Sequence, residues 1–503
     1  MLTLQIDRNL PTPLTDQVCE QVQELIASGA LGAGVRLPSS RRLAEDLELS
    51  RNTVVVAYER LLAEGWVDSE VGRGTFVAEG PPRPAAGSLP GLFSEGDFPW
   101  QGSIVQDVPP PVMTGVVAAE SANDGPINFA GAVPGAETFP SEAVRRSLQT
   151  VLKREGASAL EYGPPAGYRP LREVIAERAT RHGAPARADD VLIVSGSQQG
   201  LDLLARLLLT PGDAVVVESP TYSNALQLWR FHGARVLGVE MDARGIQPGR
   251  LRALLERSRP KFVYLMPTFQ NPTGATMDLE RRREVMDIVR EARVPVVEDH
   301  FDSELRYRGG ASPPLRAFDR DGQVVLMGTF SKILCPGFRL GWIIAPAALR
   351  RRLLDLKRIC DLGTPLPAQM ALAELCRRGE LDRHLERAGR EHAGRLEVML
   401  GALERHLPEV RVERPQGGMT LWLELPPGAN AVALHDEAQS AGVLVAPGTW
   451  FYPEGGGERH LRLSFVGEPG ERIEDGVEKL GEILERHLQN RPRREAEEIT
   501  PFI

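Results

Sequence analysis

Thr329-Phe330-Ser331-Lys332-Ile333-Leu334-Cys335-Pro336-Gly337-Phe338-Arg339-Leu340-Gly341 is the stretch that decides the fold. It follows the apolar run Val324-Val325-Leu326-Met327, so Lys332 stands just past the end of a buried strand. Ser331 precedes it, and the guanidinium of Arg339 lies seven residues on. A lysine that forms a Schiff base needs such a strand-end position, with hydroxyls and a guanidinium close by for a phosphate. A lysine in a surface turn would look the same in isolation. The chain, however, holds only five lysines. Lys153, Lys261, Lys357 and Lys479 sit in helical charged runs or at the start of a strand, which is a surface or snorkelling context.

Outward from this stretch, three other turns carry matching chemistry. Ser195-Gly196-Ser197-Gln198-Gln199-Gly200 joins an apolar run to a helix expected to begin near Leu201. Small and hydroxyl residues at a helix N-terminus offer backbone N–H groups and a positive dipole end to a phosphate. Such turns are common, so this one is weak taken alone. Asn271-Pro272-Thr273-Gly274 follows another strand and supplies a side-chain amide. Glu298-Asp299-His300 ends a third. A pyridine ring works as an electron sink when its nitrogen stays protonated, which calls for a buried carboxylate such as Asp299. A lone strand-end aspartate is more often a helix cap.

These turns belong to a region, residues 126–490, where apolar runs alternate with amphipathic stretches. Val191–Val194, Ala214–Val217, Phe262–Leu265, Pro295–Val297 and Val324–Met327 predict buried strands, mostly separated by helices. That alternation predicts an α/β fold around a mainly parallel sheet. Before it, residues 80–125 are rich in Pro, Gly, Ser and Ala and show no sustained period, as a linker would. About 45 such residues reach roughly 40 Å. Residues 491–503 form a polar tail.

Residues 1–79 predict a small, mainly helical head. Leu14, Val18, Val22, Leu25 and Ile26 recur at helical spacing. Leu37-Pro38-Ser39-Ser40-Arg41-Arg42-Leu43-Ala44 opens a short helix with a serine cap. Ser50 caps another, with Val54, Tyr58, Leu61 and Leu62 on one face and Gly65 at its end. Trp66 to Val77 then predicts a strand, a Gly-rich turn and a strand. Three helices with a tight turn between the last two, followed by a hairpin, form a winged helix-turn-helix. The last helix would put Arg51, Asn52 and Thr53 against base edges and phosphates of double-stranded DNA. Arg41 and Arg42 open the preceding helix, and Arg73 tips the wing.

Charge limits how this head can bind. The chain carries a net −9. Residues 1–79 hold seven arginines, no lysine and twelve acids, a balance of −5. A general polyanion-binding surface is excluded by that balance, so contact must come from the local cluster Arg36, Arg41, Arg42, Arg51 and Arg73. The four cysteines are scattered, without metal-ligand or disulfide spacing, and no metal site is expected. No apolar run approaches the length of a membrane span. The N-terminus has no basic flank or cleavable apolar stretch, so a cytoplasmic location is expected.

The head resembles the GntR family of bacterial repressors. Their pattern Leu-Pro-Ser-x-Arg-x-Leu-Ala, Ser-Arg-x-Thr-Val and Gly-x-Gly-Thr-Phe-Val is matched by Leu37–Ala44, Ser50–Val54 and Gly72–Val77. The body resembles the type I pyridoxal phosphate enzymes, the aminotransferase family, over roughly residues 126–490. That resemblance implies that Lys332 forms the imine with the cofactor and Asp299 pairs with the pyridine nitrogen. It implies that Asn271 contacts the ring hydroxyl and Tyr222 stacks on the ring. Ser197, Gln198, Ser331 and Arg339 would hold the phosphate. Tyr162 would reach a phosphate across a homodimer interface, and Arg462 would clamp a substrate carboxylate with its fork of donors. One position departs from the pattern: Phe301 stands two residues after Asp299, where related proteins usually have a tyrosine.

A GntR-type head on an aminotransferase-like body resembles the MocR family of regulators over nearly the whole chain. The resemblance implies a DNA operator as partner, no membrane, and an effector that is pyridoxal phosphate itself or an amine or amino acid. A working aminotransferase with a regulatory head uses the same cofactor residues. The linker favours the regulator, because its reach places each head on DNA beside a dimeric body. A retired cofactor fold kept as a dimerisation scaffold is disfavoured by the intact set of cofactor residues.

Overall fold

The computed structural model describes residues 13–78, apart from 29, 48, 64 and 71–73, and residues 125–489 without a break, together with 4, 6, 7 and 108. Arg73, the tail at 491–503 and nearly all of the linker at 80–125 lie outside the described residues. The chain divides into two units, Met1–Asp107 and Val108–Ile503.

In the first unit, helices α1 (Leu14–Ala27), α2 (Ser40–Asp46) and α3 (Arg51–Ala63) precede strands β1 (Val67–Glu70) and β2 (Gly74–Val77). Val18, Val22, Leu43, Val54, Ala57, Leu61 and Val67 are buried together, so one small apolar core serves three helices and the hairpin. The expected face of α3 needs one correction. Leu62 is 43% exposed, because a buried stripe through Val54, Tyr58 and Leu61 turns its neighbour outward. Side chains fix the packing: Tyr58 donates to the Pro38 carbonyl at 2.9 Å, and Arg60 meets Asp16 at 2.7 Å. The first bond ties α3 to the chain entering α2, and the second ties it to α1.

The second unit is built on an eight-stranded sheet. In chain order its strands are β3 (Val191–Val194), β4 (Ala214–Ser219), β5 (Arg235–Asp242), β6 (Gly245–Ile246), β7 (Phe262–Leu265), β8 (Val296–His300), β9 (Val324–Thr329) and β10 (Gly341–Ile344). Their spatial order is β3-β10-β9-β8-β7-β4-β5-β6. The pairs β9–β8, β8–β7, β7–β4 and β4–β5 are parallel, whereas β10 runs antiparallel to both β9 and β3. β3 therefore runs in the same sense as β9, and the carboxyl ends of β3, β4, β7, β8 and β9 share one edge. All residues of β3, β7 and β9 are buried, as a sheet covered on both faces requires.

Helix α4 (Gly196–Leu208) leaves β3, and α5 (Ala347–Asp361) follows β10. The long α6 (Glu380–His406) leads to a four-stranded antiparallel sheet of β11 (Arg411–Val412), β12 (Thr420–Glu424), β13 (Ala446–Pro447) and β14 (His460–Ser464). Its order is β11-β12-β14-β13, and α7 (Gly470–Gln489) closes the described chain. α4 begins five residues before the position that apolar spacing suggests. Ser197 and Gln198 thus lie within its first turn rather than in a preceding loop. Among the described residues, no helix is long and apolar enough to cross a membrane, and no cluster of three or more His, Cys, Asp or Glu could hold a metal.

Candidate functional site

The shared carboxyl edge of the eight-stranded sheet carries Asp299, Lys332, Asn271, Tyr222 and the first turn of α4, as strand ends in an open α/β sheet do. Asp299 lies near the end of β8 and is 2% exposed. Tyr264 of β7 donates to its Oδ2 at 2.8 Å, while Oδ1 is buried with no hydrogen-bond partner. Burial raises the Asp299 carboxyl to about 6, opposed by the Tyr264 hydroxyl and by His300. A buried carboxylate oxygen left without a donor is costly, and it suits a protonated ring nitrogen.

Lys332 follows β9, and its Nζ donates to the Ala132 carbonyl at 2.7 Å. Burial, reinforced by the charge of Arg462, lowers its ammonium to about 8; Asp302 opposes this and Arg339 adds to it. The amine is thereby poised between protonated and nucleophilic forms near neutral pH. Ser331 is buried, and its hydroxyl has no partner. At the start of α4, a Cβ built on Gly196 (φ +76°) would lie 2.7 Å from a guanidinium nitrogen of Arg339. One built on Gly341 would lie 2.9 Å from the Ser197 nitrogen. Glycine at 196 lets Arg339 close on the first turn of α4, and glycine at 341 lets the start of β10 approach the same turn. The turn offers free first-turn N–H groups, the Ser331 hydroxyl lacks a partner, and Arg339 adds a cation, so these groups fit a phosphate.

Arg462, at the centre of β14, is 1% exposed. Its Nη1 donates to Asn271 Oδ1 at 3.0 Å, its Nη2 donates to the Ala130 carbonyl, and its Nε has no partner. The guanidinium carbon lies 4.8 Å from the centre of the Phe451 ring. Burial brings the group down to about 10. The bond to Asn271 joins the four-stranded sheet to the loop after β7. Tyr222 is half-buried, and its hydroxyl accepts from Asn224 at 3.1 Å. Burial raises its phenol, Asp299 raises it further, and Arg462 and Arg339 oppose this, so all four groups share one electrostatic neighbourhood.

Tyr162 does not join this group within one chain. It is 90% exposed, and Leu160, Ile359 and Leu362 are also exposed. Phe301 packs beside the apolar cluster under α4 and has no hydroxyl to offer. Two residues escaped the sequence reading. Tyr264 sits inside a run that reads only as a buried strand. Asp302 is 1% exposed with Oδ1 unpartnered, and burial, then the charge of Asp299, pushes its carboxyl well up. Lys357 needs a correction: it is fully buried, because it lies four residues after Leu353 on the inner face of α5.

In the head, Ser39 caps α2 by accepting from the Arg42 N–H at 3.3 Å. Ser50 caps α3 by accepting from the Thr53 N–H at 3.1 Å. The Thr53 hydroxyl is 2.7 Å from the same Ser50 oxygen, so it is turned toward the cap. Arg51 and Asn52 are exposed at the start of α3. Arg42 is exposed, and Arg41 meets Glu45 at 3.3 Å on the surface of α2.

Comparison with known proteins agrees with both units. Residues 127–480 match the family described as aminotransferase class I and II, and residues 14–77 match the bacterial regulatory proteins of the gntR family. An uncharacterised HTH-type transcriptional regulator of Escherichia coli K12, YdcR, is 32% identical over 94% of this chain and 99% of its own. The probable rhizopine catabolism regulatory protein MocR of Rhizobium meliloti is 30% identical over 95% of each chain. The α-aminoadipate aminotransferase LysN of Thermus thermophilus, solved with N-(5'-phosphopyridoxyl)-L-leucine, superposes with a TM-score of 0.70 at 36% identity. That match covers 78% of this chain and 99% of the enzyme. Both family matches lie in this chain and these regulators align with nearly all of it, and on this ground the chain belongs to the MocR-type regulators, in which a gntR-family DNA-binding head is fused to a class I and II aminotransferase domain.

Proposed function

We propose that this protein is a pyridoxal phosphate-dependent transcription regulator whose head binds a duplex DNA operator and whose body responds to an amine, an amino acid or the cofactor itself. The observation that carries the reading is the pairing, in one chain, of a capped recognition helix with a cofactor-shaped site. In that site Asp299, Ser331 and Arg462 each keep a buried polar atom without a partner. Asp299 would face the ring nitrogen, Lys332 would hold the aldehyde carbon, and Asn271 and Tyr222 would bear on the ring. Ser197, Gln198, Ser331 and Arg339 would hold the phosphate. Bound there, pyridoxal phosphate supplies an aldehyde that amines capture reversibly and a ring that withdraws electrons.

The chain's own residues then set the response. Lys332 would hold the cofactor, and its amine, when free, lies beside the Ala132 carbonyl, where it could take or return a proton. Arg462 meets a carboxylate by exchanging its bonds to Asn271 and Ala130. That exchange differs between free and liganded states, and only such a difference can shift operator affinity. A tenfold shift needs about 1.4 kcal/mol.

The reading places the protein in the cytoplasm as a homodimer, with Tyr162 of each chain serving the phosphate of the other. The head would present Arg51, Asn52 and Thr53 to bases, and Arg41, Arg42 and Arg73 to phosphates. The test is to titrate pyridoxal phosphate and then candidate amino acids, measuring operator binding and keto-acid formation together. Operator affinity that moves with ligand, at little keto-acid formation, supports the regulator. Fast transamination with operator affinity unmoved by every ligand overturns it in favour of an enzyme.

A further inference from the structure

Lys357 is a buried lysine that the cofactor site does not use. Its ammonium is fully buried and donates to both oxygens of Asp361, at 2.8 and 2.7 Å. Asp361 Oδ2 also accepts from Gln199 Nε2 at 2.8 Å, and Gln199 Oε1 accepts from the Ser195 N–H at 2.7 Å. A line of three side chains therefore runs from α5 to Ser195, at the N-cap position of α4.

The chemistry of the line is directional. An ionised carboxylate only accepts, so Gln199 must turn its NH2 toward Asp361, which leaves its carbonyl oxygen for Ser195. Ser195 is thereby held one residue before Gly196, whose φ of +76° makes it the joint on which the turn would otherwise swing. The N–H groups of Ser197 and Gln198 stand immediately beyond that joint. A lysine–aspartate pair with its lysine fully buried and its aspartate partly exposed contributes little net stability, since desolvation offsets the attraction. What the pair adds at this place is orientation.

We propose that Lys357 is a positioning residue for the phosphate-binding turn at the start of α4, acting through Asp361 and Gln199 on Ser195. The proposal rests on the reading of that turn as the cofactor-phosphate site. The double variant Lys357→Met/Asp361→Leu removes both charges together, and Gln199→Leu breaks the line at its other end. Both are made in the full chain. Amide hydrogen exchange of Ser195, whose N–H is bonded to Gln199, is followed in cofactor-free protein, and pyridoxal phosphate affinity is measured by titration.

Each variant is expected to speed exchange at the Ser195 amide. Each is also expected to weaken the cofactor about tenfold, the worth of roughly one lost hydrogen bond. Combining all three changes is expected to give no further loss, because they break one line. Lys357→Arg, which keeps the charge, is expected to restore slow exchange. Unchanged exchange and affinity in the folded variants, or losses that add when combined, overturn the proposal. Should the double variant fail to fold, Gln199→Leu alone carries the same comparison. A wild-type chain that binds no pyridoxal phosphate would defeat the functional reading, while exchange in cofactor-free protein would still judge the positioning role.

Discussion

Tyr264 and Asp299 meet through one hydrogen bond of 2.8 Å, which occupies Oδ2 of the carboxylate and leaves Oδ1 buried and unpartnered. The pair orients the carboxylate so that one oxygen is held and the other is kept for a ligand. Removing the held side should therefore be felt at the free side. Tyr264→Phe is expected to leave the protein folded, raise the Asp299 carboxyl further and weaken pyridoxal phosphate about tenfold, as loss of one buried donor implies. Cofactor titrations at several pH values check this, with the binding midpoint expected to move to higher pH.

Asp299 also makes the cofactor-free protein sensitive to pH. Its carboxyl is raised by burial to about 6 in the folded chain, above the ordinary value. Folded protein therefore holds this proton more tightly than unfolded chain does. Stability linked to it is fully present below about pH 4, the ordinary aspartate value, and is lost as pH rises through about 6. Asp299→Asn should remove that loss, making the cofactor-free protein more stable at about pH 8 by at most about 3 kcal/mol, with no gain below about pH 4. Urea unfolding across this range measures it, and an equal effect of the substitution at both ends would overturn the assignment.

Lys332 should set the pH dependence of cofactor capture. Burial, then the charge of Arg462, lowers its ammonium to about 8, and only the neutral amine attacks the aldehyde. The capture rate, read from the change in visible absorbance, is expected to rise with pH through about 8 and level off above it. Arg462→Met removes a repelling charge and should shift the midpoint upward. Lys332→Ala should abolish the absorbance, and its persistence would move the covalent role to another residue.

Arg462 should separate amino acids from simple amines. Its fork is already bonded to Asn271 and Ala130, so a carboxylate competes with those groups. Arg462→Lys keeps the charge but loses the paired donors. It is expected to weaken the response to amino acids about tenfold or more, roughly the worth of one charged hydrogen bond. Amines that lack a carboxylate should act as before, and equal losses for both ligand classes would refute the carboxylate role.

The head gives two different DNA signatures. Arg51→Ala should cost about 1–3 kcal/mol and relax specificity at one base position, if the exposed guanidinium reads a base edge. Arg41→Ala should weaken all sequences alike and lower the salt slope by about 0.9, the share of a single neutralised phosphate. Because Arg41 pairs with Glu45 on the surface of α2, Glu45→Ala should strengthen binding to every sequence. Footprinting at several salt concentrations distinguishes these outcomes, and affinities unchanged in all three variants would rule out the proposed docking of the head.

Much of the molecule is legible in local sequence. The apolar runs that become β3, β4, β7, β8 and β9, the serine caps at Ser39 and Ser50, and the strand-end placement of Lys332 and Asp299 all follow from patterns within a few residues. Each is a matter of periodicity, capping or turn chemistry, which neighbouring residues determine among themselves. Tertiary structure alone decided the long-range pairings. Arg462 meets Asn271 across 191 positions, Gln199 meets Asp361 across 162, and Tyr264 meets Asp299 across 35. The order of strands in the sheet sets which strand ends become neighbours, and no local period encodes that order. For the same reason Lys357 reads as a surface lysine in its charged helical run. Its burial depends on which face of α5 packs inward, a choice made by the sheet and helices around it rather than by the helix itself.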